Sequence, residues 1–134
     1  MCIFCKIVNG EIPSYKVYED PLFIAILDIN QATKGHTLLI PKKHFPDLFA
    51  LEEKEQKQLG LAITSLSKQI KQAFDIENMN ILNNNGVLAG QTVQHFHVHL
   101  IPRYTHNDVE ITFKHNNLTK DEFCLLQEKI LAKR

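Results

Sequence analysis

The sequence predicts an α+β fold: an antiparallel sheet of about five strands with one long helix packed on it, plus a helix at the C-terminus. Three observations carry this. The run His95-Phe96-His97-Val98-His99-Leu100-Ile101 alternates polar and apolar residues, the period of a strand that rests one face on a core. Across Glu52–Phe74 the apolar residues Leu59, Ile63, Leu66, Ile70 and Phe74 recur at three- and four-residue steps between Lys, Glu and Gln, which is an amphipathic helix. The order strand–strand–strand–helix–strand–strand asks for none of the crossover repeats of a parallel sheet.

The elements follow in chain order. Lys16 to Tyr18 opens a hairpin whose turn is Glu19-Asp20-Pro21. Residues 22–28 (LFIAILD) are a branched apolar run and read as a strand, and His36 to Pro41 (HTLLIP) reads as the next, stopped by its proline. Gly60 inside the long helix costs about 1 kcal/mol relative to alanine and marks an expected close contact. Met79–Leu82 is a strand, followed by the turn-rich Asn83-Asn84-Asn85-Gly86. The histidine strand runs from about Gln94 to Ile101 and ends at Pro102. Residues 105–118 read as a polar loop. Thr119-x-x-Glu122 is a capping-box signature, and Phe123, Leu126 and Ile130 give the last helix an apolar stripe. The 134 residues make one compact domain, with residues 1–104 as its body and 105–134 a loop and helix packed on it.

Composition narrows the function. Lys+Arg and Asp+Glu number 15 each, so the net charge is zero, which argues against a general nucleic-acid or membrane-surface binder. No apolar run reaches the ~20 residues of a membrane span, and the N-terminus lacks a charged-then-apolar signal pattern. A cytoplasmic protein is expected. In a reducing compartment three cysteines do not make a disulfide framework. Cys2 and Cys5 form a C-x-x-C pair, a candidate metal half-site, whereas Cys124 stands alone as buried filler.

The chemistry points to the alternating run. On a strand, His95, His97 and His99 share a face, with about 6.6 Å between successive residues of that face. Core packing does not require three imidazoles there. Imidazole is the side chain best suited to nucleophilic, acid–base or metal chemistry at neutral pH. Two plainer readings compete: a histidine-lined polar cleft, and a metal site, because His-x-His on a strand is also good ligand geometry. His36, His106 and His115 read individually as packing or surface residues. Lys42 and Lys43 read as a solvated strand end able to attract polyphosphate.

Residues Cys2 to Tyr104, about three quarters of the chain, resemble the histidine triad (HIT) family, in its bacterial-type, Hint-like branch. The family pattern His-φ-His-φ-His-φ-φ is met at every position of His95–Ile101. Gly35-His36, Ile40-Pro41-Lys42-Lys43-His44, Asn84-Asn85-Gly86 and Gly90-Gln91-Thr92-Val93 are similar to family segments in the family's order, and Cys-Ile-Phe-Cys-Lys-Ile-Val is similar to the start of that branch.

The resemblance implies a hydrolase or transferase acting at the α-phosphate of purine nucleoside phosphoramidates or related nucleotides. His97 would be the nucleophile, with His99 and His95 beside it. Attack needs a neutral ring with a free lone pair, a form abundant at pH 7 for an ordinary imidazole of pKa ~6.5. A covalent nucleotidyl-histidine would then be cleaved by water. The resemblance places Asn84, Gly90, Gln91, Thr92, His97 and His99 at the phosphate. Thr92 stands where serine is frequent. Asp28 would bind the ribose hydroxyls, and Phe4, Ile7, Ile12 and Ile29 would line the base pocket. It further implies a structural zinc held by Cys2, Cys5, His44 and His95, and a homodimer paired through the long helix and an adjacent strand. Two alternatives share the motif: a dinucleoside polyphosphate hydrolase, and a nucleotide-binding interaction module with residual activity.

Overall fold

The computed structural model describes residues 2–134 and carries five strands in one antiparallel sheet. The first helix, α1 (Ile3–Val8), is followed by β1 (Lys16–Glu19), β2 (Phe23–Leu27) and β3 (Thr37–Pro41). Then come α2 (Glu53–Phe74), β4 (Asn78–Leu82), β5 (Val98–Arg103) and α3 (Lys120–Leu131). The spatial order is β1-β2-β3-β5-β4, so the strand after the long helix takes an edge and the last strand slots between it and β3.

Alternation along each strand sorts two cores. Phe23 and Ala25 of β2, Leu39 of β3, and Val98 and Leu100 of β5 face Ala62, Leu66 and Ile70 of α2, with Phe96 completing that layer. The opposite residues Ile24, Ile26, Leu38 and Ile40 pack with Phe4 of α1 on the other face. The histidines belong to this second side. A six-residue helix covers it, leaving room for a cavity beside it.

Two local features hold the scaffold. Gly35 has φ +97°, and a Cβ there would lie 2.6 Å from the Phe74 ring at the end of α2, so the turn into β3 admits no side chain. Asp75 ends α2 in the left-handed region at φ 50°.

The structure corrects four sequence expectations. The histidine strand begins at Val98, not Gln94, and it runs through Pro102. Both strand prolines are tolerated because they lie beyond the three β3–β5 pairs, which join Thr37–Leu39 to Val98–Leu100. Gly60 meets no atom within 4 Å of a Cβ position, so the expected close contact is missing among the described residues. The third correction concerns the C-terminal segment. The capping box at Thr119 and Glu122 forms in full, but α3 buries none of its residues. Its stripe is open, with Phe123 58% and Ile130 74% exposed. Finally, Cys124 on this helix is exposed rather than buried.

Candidate active site

The segment entering β5 is tied down before the strand begins. The Phe96 N–H donates to the Phe45 carbonyl at 2.6 Å, and the Asn83 side-chain amide donates to the His97 carbonyl at 2.9 Å. Held this way, His97 turns its ring so that Nδ1 lies 2.8 Å from the His95 carbonyl. A carbonyl only accepts, so Nδ1 carries the proton and Nε2 keeps its lone pair. No protein atom bonds that Nε2 among the described residues. The ring stands edge-on to Phe4 at 5.1 Å and to His99 at 5.0 Å.

His99 is half-buried. Its Nδ1 lies 2.9 Å from Nε2 of His36. Burial pushes its pKa down to about 4, helped by the neighbouring His97 and His36 and opposed by the Asp28 carboxylate. The ring is therefore neutral at pH 7.

These two rings open onto a cavity of ≈ 280 Å³. Phe4, Ile7, Ile12 and Ile29 form its apolar side, and Asp28, Thr92, His97 and His99 its polar side. Pro13, Tyr15 and Val93 also line it; sequence reasoning missed them because they sit in irregular segments without a periodic signal. A small apolar slot with a few converging polar groups is the usual form of a small-molecule site. A larger depression beside β4, ≈ 400 Å³, has Arg103 as its one cation among the lining residues, already bound by Asp108 and Asn80.

Other expected site residues stand elsewhere. His95 is fully buried and outside the cavity; its Nε2 lies 2.9 Å from the Pro41 carbonyl, which turns Nδ1 toward α1. Gln91 is a clamp inside its own turn: its amide donates to Pro46 and Val93 carbonyls and accepts from the Gly86 N–H. The backbone N–H groups of Gly90 and Gln91, residues that the resemblance places at the phosphate, are bonded to the Val87 and Gly86 carbonyls at 3.0 and 3.1 Å. Asn84 does not line the cavity; its amide packs against Gly90. Lys42 and Lys43 pair with Glu19 and Glu52 on the surface. Conversely, Asn83 and His36, read as turn and packing residues, directly hold His97 and His99.

Behind the cavity, α1 brings Cys2 and Cys5 to His44 and His95. Four tetrahedral ligands of a zinc-sized ion would lie about 3.3 Å apart for two nitrogens and about 3.6 Å for sulfur and nitrogen. The observed separations are 3.1 Å between the two Nδ1 atoms, and 3.3, 3.4 and 3.6 Å between sulfur and nitrogen. The Pro41 carbonyl holds the His95 proton on Nε2, so Nδ1 offers a lone pair to this cluster. The donor set fits a metal ion.

Comparison with known proteins follows the same lines. The HIT domain profile matches residues 9–106. The chain belongs to the HIT family. It is 50% identical over 107 residues to Protein hit of Bacillus subtilis, covering 80% of this chain and 74% of that protein. A Schizosaccharomyces pombe relative named adenosine 5′-monophosphoramidase is 44% identical over 102 residues, covering 76% of this chain and 74% of its own length. The crystal structure of a HIT family member from Bacillus subtilis superposes with a TM-score of 0.92 at 42% identity, covering 99% of this chain and 96% of that one. This HIT protein thus shares the α+β sheet of its relatives well beyond the motif.

Proposed function

We propose that the protein hydrolyses nucleotides at the α-phosphate, with purine nucleoside phosphoramidates as its substrate class and a covalent nucleotidyl-histidine as its intermediate. One observation carries the reading: His97 has its Nδ1 proton committed to the His95 carbonyl and its Nε2 lone pair unpartnered beside the cavity. Membership of a family that includes a relative named as an adenosine monophosphoramidase supports the substrate class.

The chemistry proceeds in two displacements. The His97 Nε2 lone pair forms a bond to phosphorus as the phosphorus–nitrogen bond of the substrate breaks. The amine leaves with that electron pair and a proton taken from solvent. His97, now substituted at Nε2 and still protonated at Nδ1, is cationic, and the His95 carbonyl stabilises that charge. Water then attacks phosphorus from the side opposite His97, the ring departs with its electrons, and the nucleoside monophosphate is released with the loss of one proton. Splitting one hard step in two is the gain of covalent catalysis. Phe4, Ile7, Ile12 and Ile29 suit the flat apolar base, Asp28 suits the ribose hydroxyls, and Thr92 supplies a hydroxyl at the phosphate end. His95 acts through its backbone carbonyl.

Zinc suits the Cys2, Cys5, His44 and His95 set, where its contribution when bound is structural, tying α1 to the sheet. Free thiols as ligands suit the reducing cytoplasm. A homodimer fits the surface: β4 is an unpaired sheet edge with Ile81 and Leu82 exposed, Leu61 of α2 is 62% exposed, and the α3 stripe is open. Neutral net charge fits a small-molecule substrate rather than a polyanion, and among the described residues no helix is long and apolar enough to cross a membrane.

The test is turnover of adenosine 5′-phosphoramidate by His97→Ala. Activity should vanish while nucleotide binding stays measurable by calorimetry. Undiminished turnover would remove His97 from its role.

A further inference from the structure

The loop between β2 and β3 contains a hydrogen-bond chain that the hydrolytic reading does not use. It begins at the backbone of Ala32, whose N–H donates to Nδ1 of His36 at 3.1 Å. A backbone N–H can only donate, so His36 Nδ1 holds a lone pair. A neutral imidazole with an unprotonated Nδ1 carries its proton on Nε2. That Nε2 lies 2.9 Å from Nδ1 of His99. His99 must accept there, and its own proton is therefore on Nε2.

We propose that His36 is a positioning residue for His99, fixing the tautomer in which His99 presents Nε2–H to a phosphoryl oxygen as a neutral hydrogen-bond donor. The proposal rests on the nucleotide reading for its ligand; the tautomer rests on geometry alone. His97 is set the opposite way, with Nδ1–H on the His95 carbonyl and Nε2 open. Two rings 5.0 Å apart thus offer one lone pair and one donor to the same cavity. Attack on phosphorus needs the first, and negative charge growing on its oxygens needs the second. Had the His36 proton sat on Nδ1, His99 would present a second lone pair and repel that oxygen.

Two competing fates for the His36 proton, the Asp28 carboxylate and a metal ion, fail on distance and chemistry. Asp28 Oδ2 lies 3.6 Å from Nε2, too far for a hydrogen bond. Asp28, His36 and His99 come together closely enough to suggest a second metal site. A metal on His36 Nε2 would require the proton on Nδ1, pointed at the Ala32 N–H. The loop that presents Ala32 is braced: the Gln31 amide donates to the Asp28 and His36 carbonyls and accepts from the Gly35 N–H. His36 is buried, and its burial favours the neutral ring this chain needs, against the Asp28 carboxylate and a hydrogen bond to the Asn30 backbone, which favour the charged one; the NMR measurement below reads which nitrogen holds the proton.

Nitrogen-15 NMR of the unliganded wild-type protein at pH 8 reads the tautomers directly. The expected result is His36 and His99 protonated on Nε2, and His97 on Nδ1. A proton on Nδ1 of His99 would overturn the proposal, whatever the substrate proves to be. Two variants connect the tautomer to turnover. His36→Asn keeps an oxygen for the Ala32 N–H but does not reach His99, whereas His36→Gln places an amide N–H near the Nε2 position. Asparagine should give His99 signals of mixed tautomers and lower kcat about tenfold to a hundredfold with a much smaller change in KM. Glutamine should recover most of that loss. Wild-type kcat in His36→Asn would contradict the role. If His97→Ala keeps its turnover, the hydrolytic reading falls while the NMR result still decides the tautomer.

Discussion

Acid should destabilise this protein through a ring that the fold keeps neutral. His99 holds a pKa of about 4, against an ordinary imidazole value of about 6.5 in the unfolded chain. Between those two values the unfolded chain takes up a proton that the folded one refuses, so stability is full above about pH 6.5 and is lost as pH falls toward about 4. At pH 5 the linkage amounts to about 2 kcal/mol, and to about 1 kcal/mol after discounting for the open cavity side of the ring. Urea unfolding at pH 7 and pH 5 measures it. The perturbation is His99→Asn, which keeps an acceptor for the His36 N–H but does not titrate. For a domain of this size the midpoint of the wild type should fall by roughly 0.5–1 M more than that of the variant. Equal falls in the two proteins would refute the claim that burial of His99 holds it neutral.

Two further outcomes check the parts around the site. Protein purified without added metal should carry about one equivalent of zinc per chain by elemental analysis, and Cys5→Ser should carry almost none; equal, near-zero content in both would remove the metal from the account. Sedimentation at micromolar concentration should give a dimer, because an exposed sheet edge and two open apolar helix faces can supply the roughly 800 Å² per partner of a stable interface; a monomer would contradict it.

What was legible in the sequence follows from the range of each interaction. The α2 stripe was legible because Leu66 and Ile70 recur on one face, and both are buried against the sheet. Phe96, Val98 and Leu100 declared their core side by alternation alone, although the strand opens only at Val98. The Thr119–Glu122 box is local and formed as read. The α3 stripe obeyed the same rule as α2, yet none of the described residues buries it, since periodicity names a face but not its partner. Helix α1 is too short at six residues to show a period. His36 was missed because its partner is 63 residues away and only the β3–β5 register brings them together. Gln91 and Gly90 pointed toward a phosphate by resemblance, but their hydrogen bonds close their own turn instead.

The proposed intermediate is a covalent adduct on His97. Quenching the protein during turnover of adenosine 5′-phosphoramidate and mapping the peptides by mass spectrometry should find adenylate attached to His97, and no adduct in His97→Ala. An adduct on His99 or another residue, or rapid wild-type turnover with no adduct under conditions that preserve phosphohistidine, would contradict it.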